Sequence, residues 1–245
     1  MPQRQHHRGQ HPEDARLFAQ KWIPTLRAAV VDVSFLLTRN YSRDAALRLV
    51  GGHYQLDARQ RRAVLRTACS DASLRRRAAH RIGEDGLNGQ ALVIDGYNLL
   101  ITAESILGDA ILLRGRDGCV RDMASMHGSY RKVEETAPAI QLIGETLQPL
   151  PAARIQWFFD APVSNSGRLR ATLCQEAETH GWSWQVDVAD NVDRLLAESS
   201  DIVVTSDGWI LDHARRWFNV TELILAKTHA AARVIDLGDT SHPQP

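Results

Sequence analysis

Apolar residues in the first third of the chain recur at intervals of three and four, a spacing that predicts amphipathic helices. The pattern predicts three helices, of which the second is capped by Ser42 and ended by Gly51-Gly52, and the third is capped by Asp57. We therefore predict a small all-α helical domain over residues 24–88, with an outline that resembles a helix-turn-helix. Residues 1–23 before it are predicted to form a flexible N-terminus.

After residue 88 the pattern changes to short apolar runs that alternate with helical segments. The runs cover residues 91–95, 155–160, 184–188, 202–207 and 233–237. Helices fit between them near residues 98–107, 129–147, 166–180, 192–199 and 208–218. Such alternation is typical of an α/β domain with a mostly parallel sheet covered by helices, and we place this domain at residues 89–240.

The composition is that of an ordinary globular protein. Hydrophobic residues make up 44% of the chain and charged residues 24%, and no apolar run approaches the roughly 18 residues that a membrane span needs. The cysteines Cys69, Cys119 and Cys174 are far apart, so neither a disulfide framework nor a cysteine-rich zinc site is indicated. We expect a reduced, cytoplasmic protein without membrane segments.

A net charge of zero hides an asymmetry between the two predicted domains. Residues 1–88 carry 16 Lys and Arg against 8 Asp and Glu, a balance of +8, and residues 89–245 carry the opposite balance of −8. A basic module joined to an acidic one fits a protein that binds a polyanion such as nucleic acid. Equally, the two halves could use their opposite charges to dock against each other.

Three of the predicted strands end in aspartate, namely Asp95, Asp160 and Asp207. In an open α/β sheet the ligand crevice lies outside the carboxyl ends of the strands, so these three side chains are expected to converge. Asp193, in the first turn of a predicted helix, would lie at the same end. Three further acids lie near enough in sequence to compete for its role: Asp190, Asp201 and Asp212.

Carboxylates that face one another repel, and a divalent cation would relieve that repulsion. Because no His or Cys set has a convincing spacing, an all-oxygen site favours Mg²⁺ or Mn²⁺ over Zn²⁺. Such a site can polarise a phosphodiester and activate a water molecule. The residues therefore predict a metal-dependent nuclease.

Three short motifs resemble the PIN-like nuclease fold, and its NYN branch most closely. They are Asp95-Gly-Tyr-Asn98, Phe159-Asp-Ala161 and Val204-Thr-Ser-Asp207, each at the end of an apolar run. The resemblance implies a PIN-like Rossmannoid domain with Mg²⁺- or Mn²⁺-dependent ribonuclease chemistry. It carries the metal-binding and catalytic roles onto Asp95, Asp160, Asp193 and Asp207.

The N-terminal module resembles domain of unknown function 434, which is typically joined to a PIN-like domain. The motifs that carry this resemblance are Arg39-Asn-Tyr-Ser42, Ala45-Ala-Leu-Arg-Leu-Val-Gly51 and Gln60-Arg-Arg62. Together the two resemblances cover residues 25–225.

Several polar residues near the acids are candidates for binding the substrate. They are Asn98, Arg121, His127, Ser164, Ser166, Thr205 and Ser206. Asn98 would orient an acid or a metal-bound water, or else cap the following helix. An arginine, a histidine and serine hydroxyls can contact phosphate, although solvated or helix-capping roles are common for the same residues.

We predict from these features a metal-dependent ribonuclease that hydrolyses RNA phosphodiester bonds. The alternative is a non-catalytic nucleic-acid-binding adaptor that keeps the PIN-like fold. A phosphatase of the haloacid dehalogenase type fits poorly, because Asp95-Gly-Tyr97 lacks the second acid of an Asp-x-Asp motif.

Overall fold

A computed structural model describes residues 7–124, 130–228 and 233–239 of the chain. In these residues the α-helices are α1 (Asp14–Leu17), α2 (Ile23–Thr38), α3 (Arg43–His53), α4 (Ala58–Thr67), α5 (Asp71–His80), α6 (Gly96–Leu107), α7 (Thr136–Leu147), α8 (Ser166–His180), α9 (Val192–Glu198), α10 (Gly208–His213) and α11 (Val220–Lys227). The strands are β1 (Ala91–Asp95), β2 (Ile111–Arg114), β3 (Val120–Asp122), β4 (Arg154–Asp160), β5 (Trp184–Ala189), β6 (Ile202–Val204) and β7 (Arg233–Asp236). Within this described part, each helix is too short or too polar to cross a bilayer.

The protein is α/β and divides into two compact units, each built from separate stretches of the chain. The described residues of the first, which we call the sheet unit, are 7–9, 80–109, 124 and 130–228. Those of the second, the helical unit, are 10–79, 110–123 and 233–239. The division therefore differs from a single boundary at residue 88, because two later segments fold with the N-terminal helices.

Those two segments give the helical unit a small sheet of its own. Strand β2 pairs antiparallel with β3 and parallel with β7. Ile111 and Leu113 of β2 and Ile235 of β7 are buried in one apolar core with the inner face of α2. The run at residues 233–237 thus forms a strand as predicted, but it pairs outside the main sheet. The elements within residues 24–88 are helices, as predicted, and the three strands of the helical unit come from later in the chain.

Part of the predicted flexible N-terminus is folded. Residues 14–22 form α1 and a short 3₁₀ turn, and Leu17 and Phe18 are fully buried. The carboxylate of Asp14 accepts hydrogen bonds from Arg59 at 2.5 and 2.9 Å. Burial of two large apolar side chains stabilises this segment by several kcal/mol, on the order of 2 kcal/mol each.

The helix starts within the helical unit follow the predicted caps. Ser42 Oγ accepts from the N–H of Ala45 at 3.2 Å, and Asp57 and Gln60 form a capping box at the start of α4. Helix α3, however, continues through Gly51 to His53. Gly51 therefore does not end the helix, and its carbonyl accepts a hydrogen bond from the Arg61 guanidinium at 2.8 Å.

The sheet unit contains four parallel strands in the order β5-β4-β1-β6. Leu92 and Ile94 of β1 and Trp157 of β4 are fully buried, so the two central strands contribute large apolar side chains to the core. Helices α7 and α10 are shorter than predicted, with α7 beginning at Thr136 and α10 ending at His213. Beyond α10 the helix is not continued, and Trp217 forms an isolated parallel bridge with Val203.

One buried ion cluster ties α5 to β3 within the helical unit. Asp117 is 1% exposed and accepts from Arg77 at 2.6 Å and from Arg121 at 2.6 and 2.9 Å. Burial alone would raise the pKa of Asp117, but the two guanidinium groups hold it far below its usual value. The cluster is thus a neutralised buried acid flanked by two cations.

Replacing Asp117 should therefore destabilise the protein strongly. Asp117→Asn leaves two buried arginines without their anion, and we expect a loss of about 3 kcal/mol in the free energy of unfolding measured with urea. Asp71→Asn removes an acid that pairs with Arg116 at a more exposed position and should cost under about 1 kcal/mol. Equal effects of the two substitutions would contradict this account of the cluster.

Candidate functional site

The topology of the main sheet creates a crevice at its carboxyl edge. The chain runs from β1 to β4 and β5 on one side, and β6 then lies on the other side of β1. The strand order reverses at β1, and such switch points are where open α/β sheets bind ligands. The register pairs Asp95 with Phe158 and Ile94 with Val204, so Asp160 and the segment 205–207 extend just beyond the end of β1.

Asp95 ends β1 in the middle of this edge and is 8% exposed. Its Oδ1 accepts from the N–H of Asn98 at 3.3 Å, which caps α6, and its Oδ2 accepts from the Thr205 hydroxyl at 2.8 Å. Burial raises the pKa of Asp95 to about 7 despite these two hydrogen bonds, and the charges of Asp207 and Asp193 raise it further. Asp95 is therefore an acid whose charged form the protein alone does not stabilise.

Each residue of the Asp95-Gly-Tyr-Asn98 motif has a distinct structural task. A Cβ on Gly96 would lie 2.5 Å from the Phe159 ring, so only glycine lets α6 begin this close to β4. Tyr97 is buried against Phe159, and its hydroxyl bonds with Ser166 Oγ at 2.7 Å. Asn98 Oδ1 accepts from both the N–H and the hydroxyl of Ser206, at 2.8 and 2.9 Å.

These contacts tie the ends of β1 and β6 together. Thr205 Oγ1 donates to Asp95 and accepts from the N–H of Asp207 at 3.0 Å. Asp207 then caps α10, where its Oδ1 accepts from the N–H groups of Trp209 and Ile210 at 2.8 and 3.1 Å. Asp207 is exposed, and its Oδ2 has no hydrogen-bond partner among the described residues.

Asp160 and Asp193 complete the group of acids. Burial raises the pKa of Asp160, at the end of β4, although the N–H of Val192 favours its ionised form. Asp193 lies in the first turn of α9 and stays accessible to solvent, and its pKa is raised by surrounding protein and then by the charges of Asp207 and Asp160. The four predicted acids thus influence one another electrostatically, so the structure brings them to one edge.

The donor chemistry of this group, which consists of carboxylate oxygens, fits a hard divalent cation. In the described residues, no Lys, Arg or His forms an ion pair with any of the four carboxylates. Within the same residues, however, no three His, Cys, Asp or Glu side chains are arranged as a metal-ligand cluster. Several carboxylate oxygens instead accept N–H groups at helix starts, so metal binding would require these side chains to reorient.

The competing acids are placed differently. Asp201 precedes β6 at the opposite edge of the sheet and pairs with Arg154 at 2.9 Å. Asp190 is exposed before α9, and Asp212 lies within α10. The charges of Asp207 and Asp193 are among the main causes that raise the pKa of Asp95, and those of Asp207 and Asp160 raise that of Asp193.

The predicted substrate-binding residues are distributed unevenly. Asn98, Thr205 and Ser206 lie at the acids, where their polar groups bond to one another and to Asp95. Ser166 is buried and its hydroxyl bonds to the carbonyls of Asp160 and Val163, which gives it a structural role, while Ser164 is exposed. His127 lies outside the described residues.

The prediction for Arg121 is corrected by its surroundings. Arg121 belongs to β3 of the helical unit and is 8% exposed, with both terminal nitrogens bonded to Asp117. A guanidinium engaged in this way by a buried carboxylate is not offered to a phosphate. The nearby Asp117-Gly118 turn, four residues earlier in sequence, was the available signal for this pairing.

Sequence reasoning also missed a buried charge in α6. Glu104 is fully buried and binds Arg8 at 2.8 Å, while the hydroxyls of Tyr130 and Thr136 also donate to it. The sequence feature that indicates such a buried, paired charge is an acid within the apolar stretch 99–106. This cluster fixes the ring of Tyr130.

Known proteins match both parts of the chain. Residues 25–79 match the family described as "Protein of unknown function (DUF434)", which confirms the resemblance of the N-terminal module. The chain is also similar to the uncharacterized protein MJ0935 of Methanocaldococcus jannaschii, with 28% identity over 189 residues that cover 76% of this chain and 89% of the relative. No solved structure matches the chain.

A second family model covers more than half of the chain. It is described as "Domain of unknown function (DUF5616)" and matches residues 84–223, a stretch that includes Asp95, Asp160, Asp193 and Asp207. The chain therefore belongs to the DUF5616 family.

Proposed function

We propose that this protein is a Mg²⁺- or Mn²⁺-dependent ribonuclease with a PIN-like catalytic domain of the NYN type. The observation that carries the proposal is the convergence of four carboxylates that no cationic side chain of the described residues neutralises. By contrast, the buried carboxylate of Asp117 is paired with the guanidinium groups of Arg77 and Arg121. A group of acids left without cations costs stability, and a bound divalent cation would offset that cost.

In the proposed nuclease, the acids would hold the cation and the neighbouring polar residues would position them. Asp160, Asp193 and Asp207 are accessible enough to hold a cation, and Asp95 lies behind them as a buried ligand. A bound Mg²⁺ or Mn²⁺ supplies polarisation of the phosphodiester and a more acidic water. Asn98 and Thr205 are positioning residues, because they hold the 205–207 segment against the end of β1.

An exposed aromatic side chain beside the acids favours a nucleic-acid substrate. Trp209 is 48% exposed although it lies only two residues after Asp207. Its ring lies 4.4 Å from the ring of His213 in a tilted arrangement, and about half of its surface remains exposed. Aromatic platforms of this kind stack on unpaired bases, so single-stranded RNA is the substrate that we propose.

One observation favours a non-catalytic adaptor as the second candidate. Asp95 and Asp207 each accept N–H groups at a helix start, which explains both residues without any metal. In that case the fold would bind nucleic acid without turnover. The two candidates differ in whether substituting the acids affects cleavage.

We expect Asp160→Asn and Asp207→Asn each to reduce Mn²⁺-dependent cleavage of single-stranded RNA at least about 100-fold, because each removes one charge that holds the cation. Cleavage rates of a fluorescent oligonucleotide measure this directly. The matched control is Asp201→Asn, at the opposite edge of the sheet, which should leave the rate unchanged. Wild-type protein that cleaves no RNA with either metal would refute the nuclease and leave the adaptor.

A second expectation concerns stability and pH. Because the folded pKa of Asp95 is raised to about 7, the protonated form is favoured by folding, and this contribution is present below about pH 4 and is lost as pH rises to about 7. Asp95→Asn should therefore match the wild type at low pH and exceed it at pH 8 by roughly 2–4 kcal/mol. Thermal unfolding across this range, without metal, measures the difference.

A companion experiment measures the effect of added Mn²⁺ on the thermal stability of the same two proteins. Saturating Mn²⁺ at pH 8 should raise the melting temperature of the wild type more than that of Asp95→Asn, because a bound cation stabilises the ionised acid. Equal responses in the two proteins, or a pH-independent difference between them, would contradict the placement of Asp95 in a cation site.

A further inference from the structure

A cavity of about 380 Å³ opens in the sheet unit beside the first turns of α8. Its walls combine the segment 130–132 with α8 and the residue before it. The residues that matter for its chemistry are Tyr130, Arg131, Lys132, Asn165, Arg168 and Leu169. The size falls within the range of small-ligand sites in proteins.

Three cations surround this cavity, and none has a partner in the described part of the chain. The side chains of Arg131, Lys132 and Arg168 are exposed, and among the described residues they form neither ion pairs nor hydrogen bonds. Several other exposed cations of the same unit are paired, such as Arg81 with Glu222 and Arg154 with Asp201. Three unneutralised cations at one cavity attract a polyanion.

The rest of the wall combines Tyr130 and Leu169 with the polar residues Asn165 and Thr172. Tyr130 and Leu169 are 3% and 4% exposed. The Tyr130 backbone donates to the Ser164 carbonyl at 3.3 Å, and its carbonyl accepts from Asn165 Nδ2 at 3.1 Å. Asn165 adopts a left-handed backbone, φ 75°, which directs the chain from β4 into α8. The backbone that carries the cations is therefore held in place by hydrogen bonds, and Tyr130 and Leu169 lie beside them.

The cavity is joined to the acids through the same short connection. Only residues 161–165 separate Asp160 from α8, and the buried hydroxyl of Ser166 donates to the Asp160 carbonyl at 2.6 Å. Tyr97, which follows directly after Asp95 and Gly96, bonds to the same hydroxyl. The cavity thus lies at the carboxyl edge of the sheet, on the β4 side.

We propose that this cleft binds one nucleotide of a single-stranded RNA, with its phosphate on Arg131, Lys132 and Arg168 and its base against Tyr130 and Leu169. The inference rests on the proposed function for the choice of RNA. Arginine and lysine bind phosphate oxygens by charge-assisted hydrogen bonds, and an apolar wall suits a base of any sequence. Held there, the strand would pass the acids at the end of β4.

The test compares two triple variants of the full chain. Arg131→Ala/Lys132→Ala/Arg168→Ala removes the cleft cations. Arg81→Ala/Arg154→Ala/Lys227→Ala removes two arginines and one lysine from other exposed positions of the same unit. Binding of a fluorescent oligouridylate is followed by anisotropy in EDTA, at several salt concentrations, after circular dichroism has confirmed that both variants are folded.

We expect the cleft variant to bind at least about tenfold more weakly than the control variant, and its salt slope to fall by about one. Equal affinities of the two variants would overturn the proposal, as would a wild type that binds no oligouridylate. The outcome is independent of cleavage. If the cleft variant loses binding and the wild type never cuts RNA, the cleft is supported and the nuclease is refuted. If the wild type cuts RNA and the cleft variant binds it as well as the control does, the nuclease is supported and the cleft is refuted.

Discussion

The parallel pairing of β1 with β4 on one side and β6 on the other determines where all the candidate chemistry lies. Because the three strands end at one edge, Asp95, Asp160 and the segment 205–207 meet there although they are far apart in sequence. Two sets of hydrogen bonds, from Thr205 to Asp95 and from Ser206 to Asn98, hold this edge in place. The site and the cleft beside α8 both depend on that arrangement.

The protein treats two groups of acids in opposite ways, and the contrast is the physical basis of the functional proposal. Asp117 is buried but lies between two guanidinium groups, which lower its pKa and stabilise the fold. Asp95 is buried among other acids, and its pKa is raised. A fold gains nothing in stability from the second arrangement, so its value would lie in binding a cation.

Much of this could be predicted from local sequence, since the deciding contacts are short in range. The caps at Ser42 and Asp57 and the acids at the strand ends depend on neighbouring residues or on the shared direction of parallel strands. The small sheet of the helical unit could not be predicted in this way, because β2 pairs with β7 across more than a hundred residues. The fold of residues 14–22 likewise depends on burying Leu17 and Phe18 in a distant core.

Candidate binding residues were harder to predict than the acids. Arg121 has the residue type of a phosphate contact, but its role is decided by Arg77 and Asp117, which lie elsewhere in the helical unit. Arg131, Lys132 and Arg168 belong to no motif, and only the folded connection between β4 and α8 brings them to one cavity. Residue type predicted the chemistry, while tertiary structure decided which cations are available for it.

The most direct test of the central claim is a crystal of the full chain soaked in Mn²⁺ and measured at a wavelength where manganese scatters anomalously. The account predicts an anomalous peak at the carboxyl edge of the sheet, within about 2.0–2.3 Å of carboxylate oxygens from at least two of Asp95, Asp160, Asp193 and Asp207. The same soak of Asp207→Asn should give a weaker peak or none. Clear density for the four acids, with Asp95 and Asp207 still capping their helices and no manganese among them at saturating concentration, would contradict the account.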